Sequence, residues 1–183
     1  MTKKALQVRE VRELWERAHA QIGYNLLKIC LEGPATVLKD DIQHAQTATF
    51  MGSMVALTLH RMKHPEDFEH CIGVAGLSIG EYAALVTAGV ISFEEALRVV
   101  DIHGSSCARE SVFPPGGMLV VFTHPSHPHI ELAIAAARLH CWLEHRLVAF
   151  IEVANYLAHS VKVISGHVEV RLLPESLRCD SLR

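Results

Sequence analysis

Apolar residues along this chain switch between helical and strand periods. Val8, Val11, Leu14, Trp15, Ala18 and Ile22 recur every three or four residues, which predicts an amphipathic helix ending near Gly23. Residues 25–31 predict a second, short helix stopped by Gly33-Pro34. Phe50, Met51, Met54, Val55 and Leu59 make one face of a longer helix over residues 45–62, where the methionines read as core filling. The apolar run Cys71-Ile72-Gly73-Val74-Ala75 then predicts a strand, and residues 81–86 a helix that Gly89 can cap at its C-terminus. Ser92-Phe93-Glu94-Glu95 has the form of a capping box and starts a helix running to about Cys107.

Pro114-Pro115-Gly116-Gly117 is the sharpest break in the pattern. Beyond it, residues 118–122 predict a strand, 130–143 an alanine-rich helix, and 148–154 and 161–164 two further strands. Strand-helix-strand-strand is most of a ferredoxin-like unit. Residues 169–183 carry no clear period. The chain thus reads as α/β in class, with a core over 1–113, an incomplete ferredoxin-like subdomain over 117–168 and an irregular tail over 169–183.

Composition narrows the partners. Half of the 183 residues are apolar and a fifth are charged, which suits a folded domain with a core rather than a disordered chain. A formal net charge of −3 gives no electrostatic reason to expect nucleic acid or an anionic membrane, and no apolar run is long enough to span a bilayer. The opening Met1-Thr2-Lys3-Lys4 leads straight into a charged amphipathic helix, so neither a secretory signal nor a transit peptide is visible. Five scattered cysteines with no C-x-x-C favour a reducing compartment over a disulfide framework or a zinc site. His124, His127 and His129 crowd together between prolines, and that segment reads as an exposed loop rather than a metal site.

The candidate chemistry lies in Gly76-Leu77-Ser78-Ile79-Gly80, a G-x-S-x-G pentapeptide between the predicted strand and the predicted helix. That order is what a nucleophile elbow requires. Both flanking glycines are expected to be sterically obligatory. Ser78 would stand at the helix N-terminus, where the Ile79 backbone N–H and the helix dipole can stabilise an oxyanion.

The segment Gly76-Leu77-Ser78-Ile79-Gly80-Glu81-Tyr82 resembles the active-site block of the malonyl-CoA–acyl carrier protein transacylases, which show G-H-S-L-G-E-Y or, in mitochondrial members, G-F-S-V-G-E-F. Similarity extends through Tyr24-Asn25-Leu26-Leu27, Gln46-Thr47-Ala48, Gly117-Met118-Leu119, Val153-Ala154-Asn155-Tyr156 and Val163-Ile164-Ser165-Gly166-His167. The resemblance implies a partial acyltransferase fold: an α/β-hydrolase-like core with a parallel sheet, plus the incomplete ferredoxin-like subdomain. It implies ping-pong transfer of malonyl from coenzyme A to acyl carrier protein in fatty acid synthesis, through an acyl ester on Ser78. Malonyl-CoA and acyl carrier protein would be the partners of a monomer in the mitochondrial matrix, with no cofactor beyond the thioester substrate. Gln46 and Asn155 match amides near the family's acyl pocket. His103 falls where the family holds the malonyl carboxylate with an arginine.

The same resemblance places the family's G-Q-G-S-Q turn and its catalytic histidine outside this sequence, so the chain reads as a fragment with impaired turnover. Two other readings compete: a non-catalytic remnant that binds acyl carrier protein or full-length enzyme, and a serine hydrolase. The hydrolase would need an Asp or Glu and then a His after Ser78 in chain order.

Overall fold

The structure, a computed structural model, describes residues 2–110, 116–123 and 130–167. The chain divides into two compact units, Met1–Glu110 and Ser111–Arg183. Residues 124–129, which contain the histidine-rich loop, and the tail at 169–183 lie outside the described residues.

The first unit is helical: α1 (Thr2–Ala5), α2 (Arg9–Ile22), α3 (Leu26–Glu32), α4 (Ala35–Asp40), α5 (Ile42–Lys63), α6 (Pro65–Glu69), α7 (Ile79–Thr87) and α8 (Phe93–Glu110). The predicted stripe of α2 is the buried one: Val11, Leu14, Trp15 and Ala18 turn inward. Gly23 ends α2 in the left-handed conformation, φ 78°, with its N–H on the His19 carbonyl. The Asn25 side chain caps α3 by accepting from the Lys28 N–H at 2.9 Å. α5 is the axis of the unit and packs on α2, α7 and α8. Its Phe50 and Met51 are fully buried, each contributing about 1.5–3 kcal/mol of hydrophobic burial. Phe50 stacks on Phe93 at the start of α8, with ring centroids 5.9 Å apart. The Ser92 capping box forms: Ser92 N–H donates to Glu95 Oε2 at 2.8 Å and Glu95 N–H to Ser92 Oγ at 3.2 Å.

One expectation fails here. Residues 71–77 form no strand, and among the described residues the first unit holds no parallel sheet. A strand exists only through its ladder, and no described segment of the helical unit lies alongside to pair with it. Its apolar side chains face outward accordingly, with Ile72 fully exposed and Leu77 66% exposed.

The second unit runs β1 (Gly116–Phe122), α9 (Ile130–His145), β2 (Ile151–Ala158) and β3 (Val161–His167). Its sheet has the order β1-β3-β2, with β3 antiparallel to both neighbours. β1 and β2 are therefore parallel with β3 between them, which is the split βαβ arrangement of ferredoxin-like units. Ile130, Ile134, Ala137 and Cys141 line the buried side of α9 and pack with Ile151, Val121, Val153 and Ile164. β2 begins three residues later than predicted. The tight connection at His159-Ser160 sets its register from the turn end, whereas the apolar run from Val148 reflects burial of Ala149 and Ile151 against α9 rather than pairing. Asn155, expected at a strand end, is thus inside β2, beside an irregularity between Val153 and Asn155.

No helix among the described residues is long and apolar enough to cross a membrane.

Candidate active site

Ser78 sits at the turn into α7 with φ 55° and ψ −121°, a conformation that costs a non-glycine residue roughly 1–3 kcal/mol. Local bonds hold it there. Its N–H donates to Glu81 Oε1 at 3.0 Å, its carbonyl accepts from Glu81 N–H at 2.9 Å, and Gly80 N–H reaches the Leu77 carbonyl at 2.9 Å. Ile79 and Ala83 bury their side chains in the core and fix α7 beneath the turn. The serine itself is exposed.

Gly76 is obligatory in this geometry, because a Cβ there would lie 2.0 Å from the Gly80 carbonyl oxygen and 2.6 Å from the Glu81 nitrogen. Gly80 is not. Its Cβ would meet nothing within 4 Å, so the expected crowding is one-sided. The neighbour that could crowd Gly80 would be a paired strand, and that strand is not formed. Ile79 is the first residue of α7, where helix N–H groups lack intrahelical acceptors. Among the described residues its N–H has no backbone acceptor outside the helices and strands. Val74, Ala75, Gly76, Glu81, Leu85 and Ala88 line a shallow open groove of about 310 Å³ beside the turn.

His103 lies exposed on α8, and its ring stands 6.2 Å from that of Tyr82, one helical turn beyond Ser78. Gln46 is half-buried on α5. Its Oε1 is buried without a partner, 3.3 Å from the point where a Gly104 Cβ would be. Gln46 thus sits at the α5–α8 contact beside Gly104, the residue after His103. Asn155 belongs to the second unit and is exposed on β2.

Sequence comparison finds named relatives. The chain is 39% identical over 170 residues to the mitochondrial malonyl-CoA–acyl carrier protein transacylase of Homo sapiens, covering 92% of this chain and 43% of that protein. The Mus musculus protein of the same name is 38% identical over 165 residues, 90% of this chain and 42% of that one. Both relatives are malonyl-CoA–acyl carrier protein transacylases, and the similarity runs over nine-tenths of this chain. The chain spans less than half the length of those two relatives. A crystal structure of the transacylase from Clostridium perfringens superposes with a TM-score of 0.72 at 25% identity, covering 94% of this chain and 50% of that one. The α/β acyltransferase class follows from these transacylase matches, although the described part of this chain carries only the small antiparallel sheet. No family model matches the chain.

Sequence reasoning missed a polar cluster where Tyr24, α5 and α8 meet. Asp101 sits one turn from Leu97 on the inward stripe of α8. Its Oδ1 accepts from the Tyr24 hydroxyl and from Gln43 Nε2, each at 2.8 Å. Thr47, fully buried on α5, lies 3.2 Å from the same hydroxyl. Burial, together with the adjacent Asp101 carboxylate, pushes the Tyr24 phenol well above its ordinary value. The available signal was a carboxylate on an apolar stripe, which requires a buried donor.

Proposed function

We propose that Ser78 is the nucleophile of an acyltransferase that moves a malonyl group from coenzyme A to acyl carrier protein. The observation that carries this reading is the exposed serine held at positive φ on the N-terminus of α7, over a glycine that nothing larger can replace. In the first half-reaction the Ser78 oxygen attacks the malonyl thioester carbonyl, the C–S bond breaks, and coenzyme A leaves as the thiol with the serine proton. In the second, the phosphopantetheine thiol of the carrier protein attacks the serine ester, the C–O bond breaks, and Ser78 regains a proton. The Ile79 N–H supplies one donor to each tetrahedral intermediate. Nothing in this sequence of steps calls for a metal or other cofactor. Residue 103 and Gln46 flank the acyl group. The names of the relatives support a mitochondrial location.

The test is intact mass spectrometry of the chain with malonyl-CoA. A single malonyl adduct that Ser78→Ala abolishes is the expected result. Thioester or ester hydrolysis without transfer to acyl carrier protein would replace this reading with a serine hydrolase. Neither adduct nor hydrolysis, with acyl carrier protein or a full-length transacylase still bound, would mark a non-catalytic binder.

A further inference from the structure

α8 is held to its neighbours twice within one helical turn. Asp101 receives hydrogen bonds from Tyr24, just ahead of α3, and from Gln43 in α5. Three residues on, Gly104 lets the α5 and α8 backbones touch, since a Cβ at 104 would stand 2.7 Å from Gln43 Cα. Gln43 therefore grips α8 through its side chain on Asp101 and through its main chain against Gly104. Thr47 completes the clamp: its hydroxyl donates to the Gln43 carbonyl at 2.8 Å and lies 3.2 Å from the Tyr24 hydroxyl. His103 lies between the two anchors and projects toward Tyr82 on α7.

Ala96, Leu97 and Val100 bury α8 against the core, but apolar burial is non-directional and by itself fixes the roll of a helix less sharply than hydrogen bonds do. Hydrogen bonds are directional and do not tolerate a roll. A roll or slide that broke the Asp101 bonds would carry residue 103 away from the first turns of α7. Keeping a carboxylate with two donors in a helix interface is a costly way to add stability and a good way to define one orientation.

We propose that the Tyr24–Gln43–Asp101 cluster is a positioning device that sets the orientation of α8 and so holds residue 103 beside the helix that carries Ser78. Acyl selectivity at Ser78 then depends on Tyr24 and Asp101, which touch no substrate. The functional half of this inference rests on the reading that Ser78 is acylated and that residue 103 faces the acyl group.

The experiment compares the 183-residue chain with its Tyr24→Phe, Asp101→Ala and Asp101→Asn variants, and with Ser92→Ala as a variant that weakens α8 at its cap, away from the cluster. Two quantities are read: the nuclear Overhauser contact between the His103 and Tyr82 rings, and the malonyl-to-acetyl ratio of Ser78 loading by intact mass. Tyr24→Phe and Asp101→Ala are expected to weaken the ring contact and to change the ratio by about threefold or more, within the range that indirect couplings carry. Asp101→Asn keeps an acceptor for both donors and is expected to preserve both quantities. Ser92→Ala is expected to lower Tm and leave both unchanged. A ring contact that survives Tyr24→Phe and Asp101→Ala overturns the proposal, as does a loading ratio that stays fixed while the contact is lost. The ring contact needs no acyl transfer. Failure of Ser78 to load at all would therefore sink the proposed activity, while the contact still decides the positioning role.

Discussion

Gly76→Ala tests the site geometry most directly. The added methyl would lie 2.0 Å from the Gly80 oxygen, 2.2 Å from its carbonyl carbon and 2.6 Å from the Glu81 nitrogen. All three are backbone atoms of the first turn of α7, so no rotamer change can relieve the overlap. Ordinary contact begins near 3.4 Å, so the turn and residue 76 must separate by about 1.4 Å. α7 cannot simply drift, because Ile79 and Ala83 are buried in the core. The displacement instead falls on the bonds that shape the turn, Glu81 N–H to the Ser78 carbonyl and Ser78 N–H to Glu81 Oε1.

Overpacking typically costs about 1–3 kcal/mol, and each stretched hydrogen bond adds roughly 0.5–1.5 kcal/mol. We expect about 2–4 kcal/mol in urea denaturation, with a fall in Tm on the order of 10 °C. Ser78 loading should drop further, since a misplacement of about 1 Å at a reacting group costs on the order of a hundredfold. Gly80→Ala is the internal control. It meets open space inside a helix, where alanine is favoured over glycine by up to about 1 kcal/mol, so Tm should hold or rise. A Gly76→Ala chain with unchanged Tm and loading, or a Gly80→Ala chain damaged more than it, would refute the reasoning.

Two further outcomes follow from single contacts. On the proposed function, His103→Arg places a planar, permanently charged group beside the malonyl carboxylate. It should raise malonyl over acetyl loading of Ser78 by about tenfold, the worth of one charge-assisted bidentate pair, and an unchanged ratio would remove residue 103 from the acyl pocket. The Arg17 guanidinium donates to Glu94 at 2.7 Å and holds that carboxyl below its ordinary value. A lowered carboxylate contributes stability that is complete above the unfolded value and is lost as pH falls through the folded one. The Tm gap between the native chain and Glu94→Gln should therefore be present at pH 7, amount to less than about 1 kcal/mol for so exposed a pair, and close below about pH 4; a gap that persists at pH 3 would assign the effect to shape rather than charge.

Much of the helical unit was legible because its signals are local. The Val11–Leu14–Trp15–Ala18 stripe, the left-handed Gly23 and the Ser92–Glu95 box each act within a few residues, and each forms as read. The start of α5 was placed too late although its cap was visible: the Asp41 side chain accepts from His44 N–H at 3.1 Å. α4 escaped notice for a different reason. It buries no side chain, so no apolar period marks it. The strand at 71–75 was misread because an apolar run reports burial potential, whereas a strand requires a partner. The Asp101 cluster joins residues 77 apart in sequence, and no periodicity argument reaches that far.

The bland account of Ser78 is that it merely caps a helix, and its backbone argues against that. Among the described residues the non-glycine positions with positive φ are Ser78, at 55°, and Arg146, at 53°. Arg146 is accounted for by helix termination: it follows α9, its N–H bonds to the Trp142 carbonyl, and Leu147 N–H returns to the Cys141 carbonyl. Helices often end through a left-handed residue. No such rule applies at a helix start, where an N-cap serine ordinarily takes an extended conformation and gives its oxygen to the turn. The Asp41 cap of α5 shows that ordinary geometry in this same unit. Glycine stands two residues away on either side of Ser78, so a turn needing only positive φ could have had one at 78. A side chain is kept at the strained position instead, over a neighbour that must be glycine. The capping box with Glu81 is present all the same, so capping by itself does not account for the strained backbone, whereas presenting a hydroxyl at the helix N-terminus to an acyl group does.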